Sequence, residues 1–213
     1  MRIVVFGIGG RIGGRVAQEA LSRGHEVTGI ARDPAKVNLS HPKLRVTKGD
    51  ATDSASVGAA AETHDVVVNA IGPDMQKGVG TLLVDAARSL LQGMKRARTG
   101  RLVVVGGAGS LEVAPGVKLM DSPQFPADWK PIAKAHADAL EVYRKEKSVD
   151  WAYLSPAAMT EPGERTGSYR TGEEKLLTDG QGNSKISMED FAVALMDEIE
   201  KPRHTRRRFT VAY

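Results

Sequence analysis

Residues 2–14 read Arg-Ile-Val-Val-Phe-Gly-Ile-Gly-Gly-Arg-Ile-Gly-Gly, a strand-favouring apolar run that stops abruptly in glycine. A helical pattern begins at once: Ile12, Val16 and Ala20 recur every four residues, with Ala17 and Leu21 beside them on the same face. A strand, a glycine turn and an amphipathic helix in immediate succession leave unpaired N–H groups and the positive end of a helix dipole facing one spot, which suits a pyrophosphate. Gly7, Gly10 and Gly13 are spaced G-x-x-G-x-x-G, whereas the commoner G-x-G-x-x-G needs glycine where Ile12 stands. A glycine-rich turn without a ligand is the plain alternative. The flanking strand and helix favour a dinucleotide site.

The rest of the chain alternates in the same way. Glu26–Ala31 reads as a second strand stopped at Arg32-Asp33-Pro34, and Leu44–Thr47 as a third ending at Gly49-Asp50. Asp53 is placed to cap a short helix through Val57–Glu62. Asp65–Asn69 predicts a buried fourth strand before a turn at Ala70–Pro73. A long helix is expected from about Gly78, carrying Leu82, Leu83, Ala86, Ala87, Leu90, Leu91 and Met94, with the fifth strand at Arg101–Val105. Residues 115–130 read as irregular, Pro131 to about Lys147 as helix, and Trp151–Leu154 as the sixth strand. Short strands are then expected around Tyr169 and Leu176-Leu177. Ser187 caps a helix to about Glu200, with Asp190 in the reciprocal capping place and Ile186 and Phe191 spaced as a hydrophobic staple. Phe209–Val211 is the terminal strand.

Strands alternating with helices predict an α/β fold of Rossmann type, doubly wound around a mostly parallel sheet. One domain is expected over residues 1–213, with a small substrate-side region from about 156 to 213. Ligands of such sheets lie across the C-terminal strand ends, which here are residues 7–13, Arg32, Asp50, 69–72, 106–110 and 155–157.

Composition narrows the classes. Hydrophobic residues make up 41% and charged residues 26%, as in ordinary globular chains, and no apolar run approaches a membrane span. The N-terminus enters a strand without a signal-peptide pattern, so a cytoplasmic location is expected. The absence of cysteine removes disulfides, thiolate metal sites and a thiol nucleophile. His25, His41, His64, His136 and His204 lie far apart, so no metal is expected. The net charge of +4 fits an anionic ligand, and the basic stretch at 201–208 carries no nucleic-acid motif. Neither nucleic acid nor membrane is an expected partner, and the G-x-S-x-G elbow of hydrolases is absent.

Taken together these stretches resemble the short-chain dehydrogenase/reductase superfamily in its atypical NAD(P)-binding branch, nearest the family named for NADH-flavin reductases and related to flavin/biliverdin reductases and NmrA-like proteins. The resemblance spans almost the whole chain. It rests most on residues 104–111 (Val-Val-Gly-Gly-Ala-Gly-Ser-Leu), 153–158 (Tyr-Leu-Ser-Pro-Ala-Ala), 161–167 (Glu-Pro-Gly-Glu-Arg-Thr-Gly) and 186–192 (Ile-Ser-Met-Glu-Asp-Phe-Ala). It implies that Gly7, Ile8, Gly9, Gly10, Arg11, Ile12 and Gly13 cradle the pyrophosphate and that Asp50 meets the adenine amino group. It also implies that Asn69, Ala70, Ile71 and Gly72 line the adenosine ribose, with Ser155, Pro156 and Ala157 near the nicotinamide. For each the alternative is an ordinary strand-end turn, and an Asp such as Asp50 readily bonds its own backbone. Where an NAD site places a carboxylate, this chain has Ala31-Arg32. A guanidinium suits a 2′-phosphate, so NADP is the expected cofactor, with NAD possible because Asp33 is adjacent.

Members of the superfamily that reduce carbonyls typically pair a tyrosine with a lysine four residues on. Tyr143 and Lys147 match that spacing, but the family pair belongs near the start of its helix. Counting back from Pro156 puts the lysine at Lys134 and leaves Lys130 in the tyrosine's place. Tyr143 is then expected as a partly buried aromatic late in the helix, and His136 as a surface residue. Ser110 stands where the superfamily serine belongs, so Ser110 and Lys134 are the catalytic candidates, without a tyrosine. Either could equally be a packing or cofactor contact.

That absence has a chemical meaning. Hydride transfer to a carbonyl leaves an alkoxide that needs a positioned acid. A flavin delocalises the charge, and the protein then has mainly to hold two planar rings in contact. The expected activity is NAD(P)H-dependent reduction of a flavin or similar planar acceptor. The flavin would arrive as a substrate, and Phe125, Trp129 and Met159 are candidates for its pocket. A non-catalytic NADP-binding sensor is a second reading. A sugar-nucleotide-type epimerase or isomerase is a third, with no acid/base pair to support it. The expected partner is a small-molecule acceptor, and the chain is expected as a monomer or homodimer.

Overall fold

The apolar runs and the glycine breaks between them become strands, turns and helices in the computed structural model, which describes residues 1–73, 78–97 and 100–213. The chain begins β1 (Arg2–Phe6), α1 (Arg11–Ser22), β2 (Glu26–Ala31), β3 (Leu44–Lys48), α2 (Ser54–Ala61), β4 (Val66–Asn69), α3 (Leu82–Ala97) and β5 (Arg101–Val105). A small hairpin, β6 (Glu112–Ala114) and β7 (Val117–Lys118), precedes α4 (Lys130–Arg144) and β8 (Trp151–Ser155). β9 (Met159–Glu161), β10 (Arg170–Gly172), β11 (Lys185–Ser187), α5 (Met188–Glu200) and β12 (Arg207–Ala212) follow.

The main sheet has eight strands in the order β10-β12-β8-β5-β4-β1-β2-β3. All its pairings are parallel except that of β10 with β12. The strand order reverses between β1 and β4, the crevice in which open α/β sheets bind ligands. Phe6 pairs with both Ile30 and Asn69, so β1, β2 and β4 end level and their turns face one another.

Both faces of the sheet are covered, which is why its strands are apolar on both sides. Ile3 and Val5 pack with residues of α1 and α5, whereas Val4 and Phe6 pack with residues of α2, α3 and α4. Each fully buried Val or Leu of these layers contributes roughly 1.5–3 kcal/mol. After residue 155, α5 packs on α1 and β12 joins the main sheet beside β8.

Several local expectations need correction. The third helix starts at Leu82, not near Gly78, because Gly78 and Gly80 adopt φ of +81° and +51°, outside the right-handed helix. α4 ends at Arg144, short of Lys147. Leu176-Leu177 forms no strand. The Leu176 N–H donates to the Glu112 carbonyl at 2.9 Å, so this stretch borders the hairpin instead. Ser187 caps α5 as expected, its Oγ accepting from the Asp190 N–H at 2.9 Å. The Asp190 carboxylate does not reach back to the cap; it accepts from Thr166 Oγ1 (2.6 Å), the Gly167 N–H (2.7 Å) and the Tyr213 hydroxyl (2.8 Å).

Candidate functional site

The glycine loop is shaped by close approach. Gly7 has φ +84°, and a Cβ on it would stand 2.5 Å from the Ala70 carbonyl oxygen. A Cβ on Gly13 would stand 2.1 Å from the Gly7 carbonyl oxygen, so the start of α1 lies directly against the turn. The Gly10 N–H donates to the Gly7 carbonyl at 2.9 Å, and no side chain caps α1. Its first-turn N–H groups are therefore left for an anion. Gly9, Gly10 and Arg11 are exposed, while Ile8 is buried and Ile12 packs on the core.

This loop borders two hollows. A narrower cleft of about 290 Å³ runs over the ends of β1 to β4 and is lined by Gly7, Gly9, Gly10, Arg32, Asp50, Ala70, Ile71 and Gly72 among others. A wider cavity of about 610 Å³ lies over the ends of β5 and β8, with Arg11 at its edge. Its floor is residues 106–109 and Pro156–Ala157, and its walls include Phe125, Trp129, Ile132, His136 and Met159. Trp129 and Met159 remain 46% and 39% exposed, so the apolar wall opens to solvent.

Within the narrower cleft the polar groups are largely ready for a ligand. The Arg32 side chain is exposed and has no ion pair or hydrogen bond among the described residues. Asp33 instead caps the short turn after it, accepting from the Ala35 N–H at 3.3 Å and lying 3.6 Å from Lys36. Asp50 makes the self-contained turn that the plain alternative foresees: its Oδ1 accepts from the Thr52 N–H and Oγ1, both at 2.8 Å. Its other oxygen is without a partner among the described residues. Asn69 is buried and turned inward, donating to the Tyr143 hydroxyl at 3.3 Å and accepting from the Ile71 N–H at 3.2 Å. Ser155 is wholly buried, so of the stretch 155–157 only Pro156 and Ala157 border the cavity. A glycine cradle, an uncapped helix start and the guanidinium groups of Arg11 and Arg32, which have no partner among the described residues, form a donor set suited to a phosphate-bearing anion.

Ser110 and Lys134 are not brought to either hollow. Both line a separate cavity on the other side of α4, where Ser110 Oγ accepts from Arg208 at 2.8 Å and Lys134 pairs with Asp138 at 2.7 Å. Arg208 also bonds Glu174 there. Tyr143 is 1% exposed, not partly exposed, and packs against Trp151 and Tyr153 with ring centroids at 5.9 and 6.0 Å. Burial pushes its phenol well above the ordinary range.

His136 is the residue that sequence reading misplaced. Its ring borders the wider cavity against the turn after β5: a Cβ on Gly107 would come within 2.8 Å of the ring. Burial pulls its pKa down to about 4, so the imidazole is neutral at ordinary pH. The missed signal lay in spacing. Ala133, His136, Leu140 and Tyr143 fall at helical intervals, which puts the histidine on the inward stripe of α4.

Among the described residues, no group of histidine and carboxylate side chains could hold a metal, and no helix is long and apolar enough to cross a membrane. Residues 7–202 match the family model described as NAD(P)H-binding. A solved chain from Burkholderia pseudomallei, provisionally named an exported protein, is 44% identical with 100% of both chains covered and a TM-score of 0.89. One from Bacteroides thetaiotaomicron, provisionally named an epimerase, is 39% identical, with 100% of this chain and 96% of that one covered and a TM-score of 0.92. A third, from Streptococcus pneumoniae and provisionally named an NADH-flavin reductase, is 32% identical over 100% and 99% of the two chains, with a TM-score of 0.87.

Proposed function

The chain belongs to the NAD(P)H-binding family, and from that premise we propose that it is an NADPH-dependent reductase of a flavin or a similar planar acceptor. One observation carries the reading. The hollow over the ends of β5 and β8, which this reading gives to the nicotinamide and acceptor, is walled by Phe125, Trp129 and Met159, and among the described residues its lining holds neither a tyrosine–lysine pair for carbonyl reduction nor Ser110 or Lys134. The Streptococcus pneumoniae relative, provisionally named an NADH-flavin reductase, supports it.

In this reading the chain's own groups bind and orient. The N–H groups of the glycine loop and the start of α1 take the pyrophosphate, the Arg32 guanidinium takes the 2′-phosphate, and the free oxygen of Asp50 accepts from the adenine amino group. Pro156 and Ala157 back the nicotinamide, and the aromatic wall holds the acceptor ring flat against it. The bound dinucleotide supplies the hydride. Flavin enters and leaves as a substrate through the open side of the cavity. The relative provisionally named an epimerase favours epimerisation as a second reading, but that chemistry requires a positioned acid/base pair. A cytoplasmic location belongs to the same proposal, with cell fractionation as its direct check.

The test is NADPH oxidation measured against a panel of flavins, quinones, tetrapyrroles and simple ketones. Turnover with flavins or a comparable planar acceptor, and very slow reaction with ketones, is expected. Tight NADPH binding with no turnover against the whole panel would replace the enzyme by a redox sensor.

A further inference from the structure

We propose that the His136 imidazole is the hydrogen-bond donor that meets the acceptor ring in the wider cavity and steadies the negative charge reduction places there. The inference rests on the reductase reading above and assigns one of its contacts.

Geometry carries it. His136 lies on the stripe of α4 that faces the cavity, one turn along from Ile132 and Ala133. Its ring sits against the bare backbone of Gly107, where any side chain would collide with it. Tyr153 fixes it from below: the Tyr153 hydroxyl, itself buried beneath Gly106, donates to the His136 carbonyl at 3.0 Å and lies 3.5 Å from Nδ1. Nε2 has no protein partner among the described residues. Among the other polar groups lining the cavity, Ser122 and Gln124 sit on the segment before α4, outside any helix or strand that would fix them. Arg11 stands at the start of α1 beside the glycine turn, Thr160 Oγ1 is spent on the Ala157 carbonyl at 3.2 Å, and Glu161 is a carboxylate, with no proton to give.

The chemistry needs a donor that stays a donor. Hydride reaches the acceptor with both electrons of the broken C–H bond of the reduced nicotinamide, and the acceptor ring is left negative. An N–H fixed in a cavity stabilises such charge far more than it would in water. The proton that completes the reduction comes from water. Beside His136 is the Tyr153 phenol from β8, which burial keeps protonated, and the same cavity is lined by Arg11 from α1 and Glu161 from β9. Burial dominates the imidazole's titration, so the ring is neutral and carries a single proton, which the proposed contact places on Nε2; the Tyr153 hydroxyl gives its own proton to the His136 carbonyl and stands 3.5 Å from Nδ1, at the limit of a hydrogen bond.

Two variants test it. His136→Gln keeps an N–H near the place of Nε2, and His136→Leu removes the donor at similar volume. With riboflavin as the probe, His136→Leu should lower kcat/KM roughly tenfold or more. It should also weaken binding of oxidised riboflavin to the NADP⁺-saturated protein, measured by flavin fluorescence without turnover. NADP⁺ affinity should be unchanged in both variants, and His136→Gln should recover most of the loss. In histidine NMR spectra, the ring signal that disappears in His136→Gln should keep its neutral position down to about pH 5. A signal titrating near the usual histidine range, or a His136→Leu protein as active as the parent, would overturn this inference alone. A parent protein inert toward every acceptor would overturn the reductase reading and this contact together. Should His136→Leu fail to fold, the glutamine variant and the NMR titration still decide the matter.

Discussion

Gly9→Ala in the turn after β1 and Gly13→Ala in the first turn of α1 should fail in different ways. A Cβ on Gly9 meets nothing nearer than Val37 Cγ2 at 3.8 Å, an ordinary contact, and the residue is not among those with positive φ. Alanine there should leave the free protein as stable as before, or more stable by about 0.4–1 kcal/mol through the less flexible unfolded chain. The new methyl, however, stands at the wall of the narrower cleft, where a pyrophosphate needs bare backbone. Losing one charge-assisted bond to phosphate costs about 1.5–3 kcal/mol, so NADPH should bind on the order of tenfold more weakly or worse. Gly13→Ala is the converse. Its Cβ would lie 2.1 Å from the Gly7 carbonyl oxygen, and backbone cannot swing away as a side-chain end can, so α1 must shift from β1. Overpacking of that kind costs about 1–3 kcal/mol, against about 1 kcal/mol returned by better helix propensity. The net destabilisation of about 0–2 kcal/mol should lower Tm by up to several degrees. Thermal unfolding of the free proteins and calorimetric NADPH titration separate the two effects. A Gly9→Ala protein that binds NADPH as tightly as the parent would show that the loop does not face a dinucleotide.

Arg32→Ala should abolish most of a preference for NADPH over NADH of about tenfold or more in the parent, since the guanidinium has no internal bond to give up; equal parent affinities by calorimetry would refute this. Tyr143→Phe should keep turnover within about twofold, because the hydroxyl only accepts from Asn69 inside the core; a loss of roughly 10²-fold or more at unchanged Tm would make it the acid. Ser110→Ala and Lys134→Ala should leave flavin turnover within about threefold, as both face the cavity behind α4, and a collapse of kcat in steady-state assays would reverse that placement. Acid should destabilise the fold through its tied carboxylates. Hydrogen bonds from Lys95, Ser148 and Val149 overcome burial to hold Glu146 at about 2, below its usual 4.5. Its contribution is complete above the usual value and is lost as pH falls toward 2. Glu146→Gln should therefore flatten the acid limb of a Tm-against-pH curve.

The sheet was legible because its signals are local. Val66–Asn69 and Arg101–Val105 are apolar on both faces, and glycine or proline marks where each strand stops. The residues that line the narrower cleft were legible for the same reason, since a strand-end turn lies within a few residues of its strand. What stayed hidden depends on packing between distant segments. Lys134 matched the family spacing, yet a rotation of about 100° per residue separates it from the face carrying Ala133 and His136, and counting residues does not show which face looks at the groove. Asp190 matched a capping box, but Thr166 and Tyr213 arrive from elsewhere in the chain and take its carboxylate. Leu176 found its partner in Glu112, a contact no window of sequence contains.

The same long-range ties explain how one wall of the wider cavity is held. Met159–Glu161 borders the cavity as β9 and pairs in parallel with β11, which runs directly into α5. Just past β9, the Gly163 N–H donates to Glu189 at 2.7 Å, and Glu189 also takes Arg15 of α1 at 2.6 Å. Arg165 forks onto Glu19 of α1 through two bonds of 2.7 Å, and Thr166 and Gly167 are held by Asp190 of α5. The strap from 159 to 167 is thus fastened to α1, whose first turn is the proposed pyrophosphate seat, so a shift of that helix on binding would be passed to the cavity wall. The opposite wall is different in kind. Phe125 and Trp129 sit on the segment between the β6–β7 hairpin and α4, outside any strand of the main sheet. Relatives with the same backbone carry provisional names as different as epimerase and flavin reductase, and a shared scaffold leaves chemistry to the groups that line its groove. On the proposed reading, the choice of acceptor falls to Phe125 and Trp129 on the segment less bound to the sheet and to His136 on α4, with the strap fixing how far Met159 stands from them.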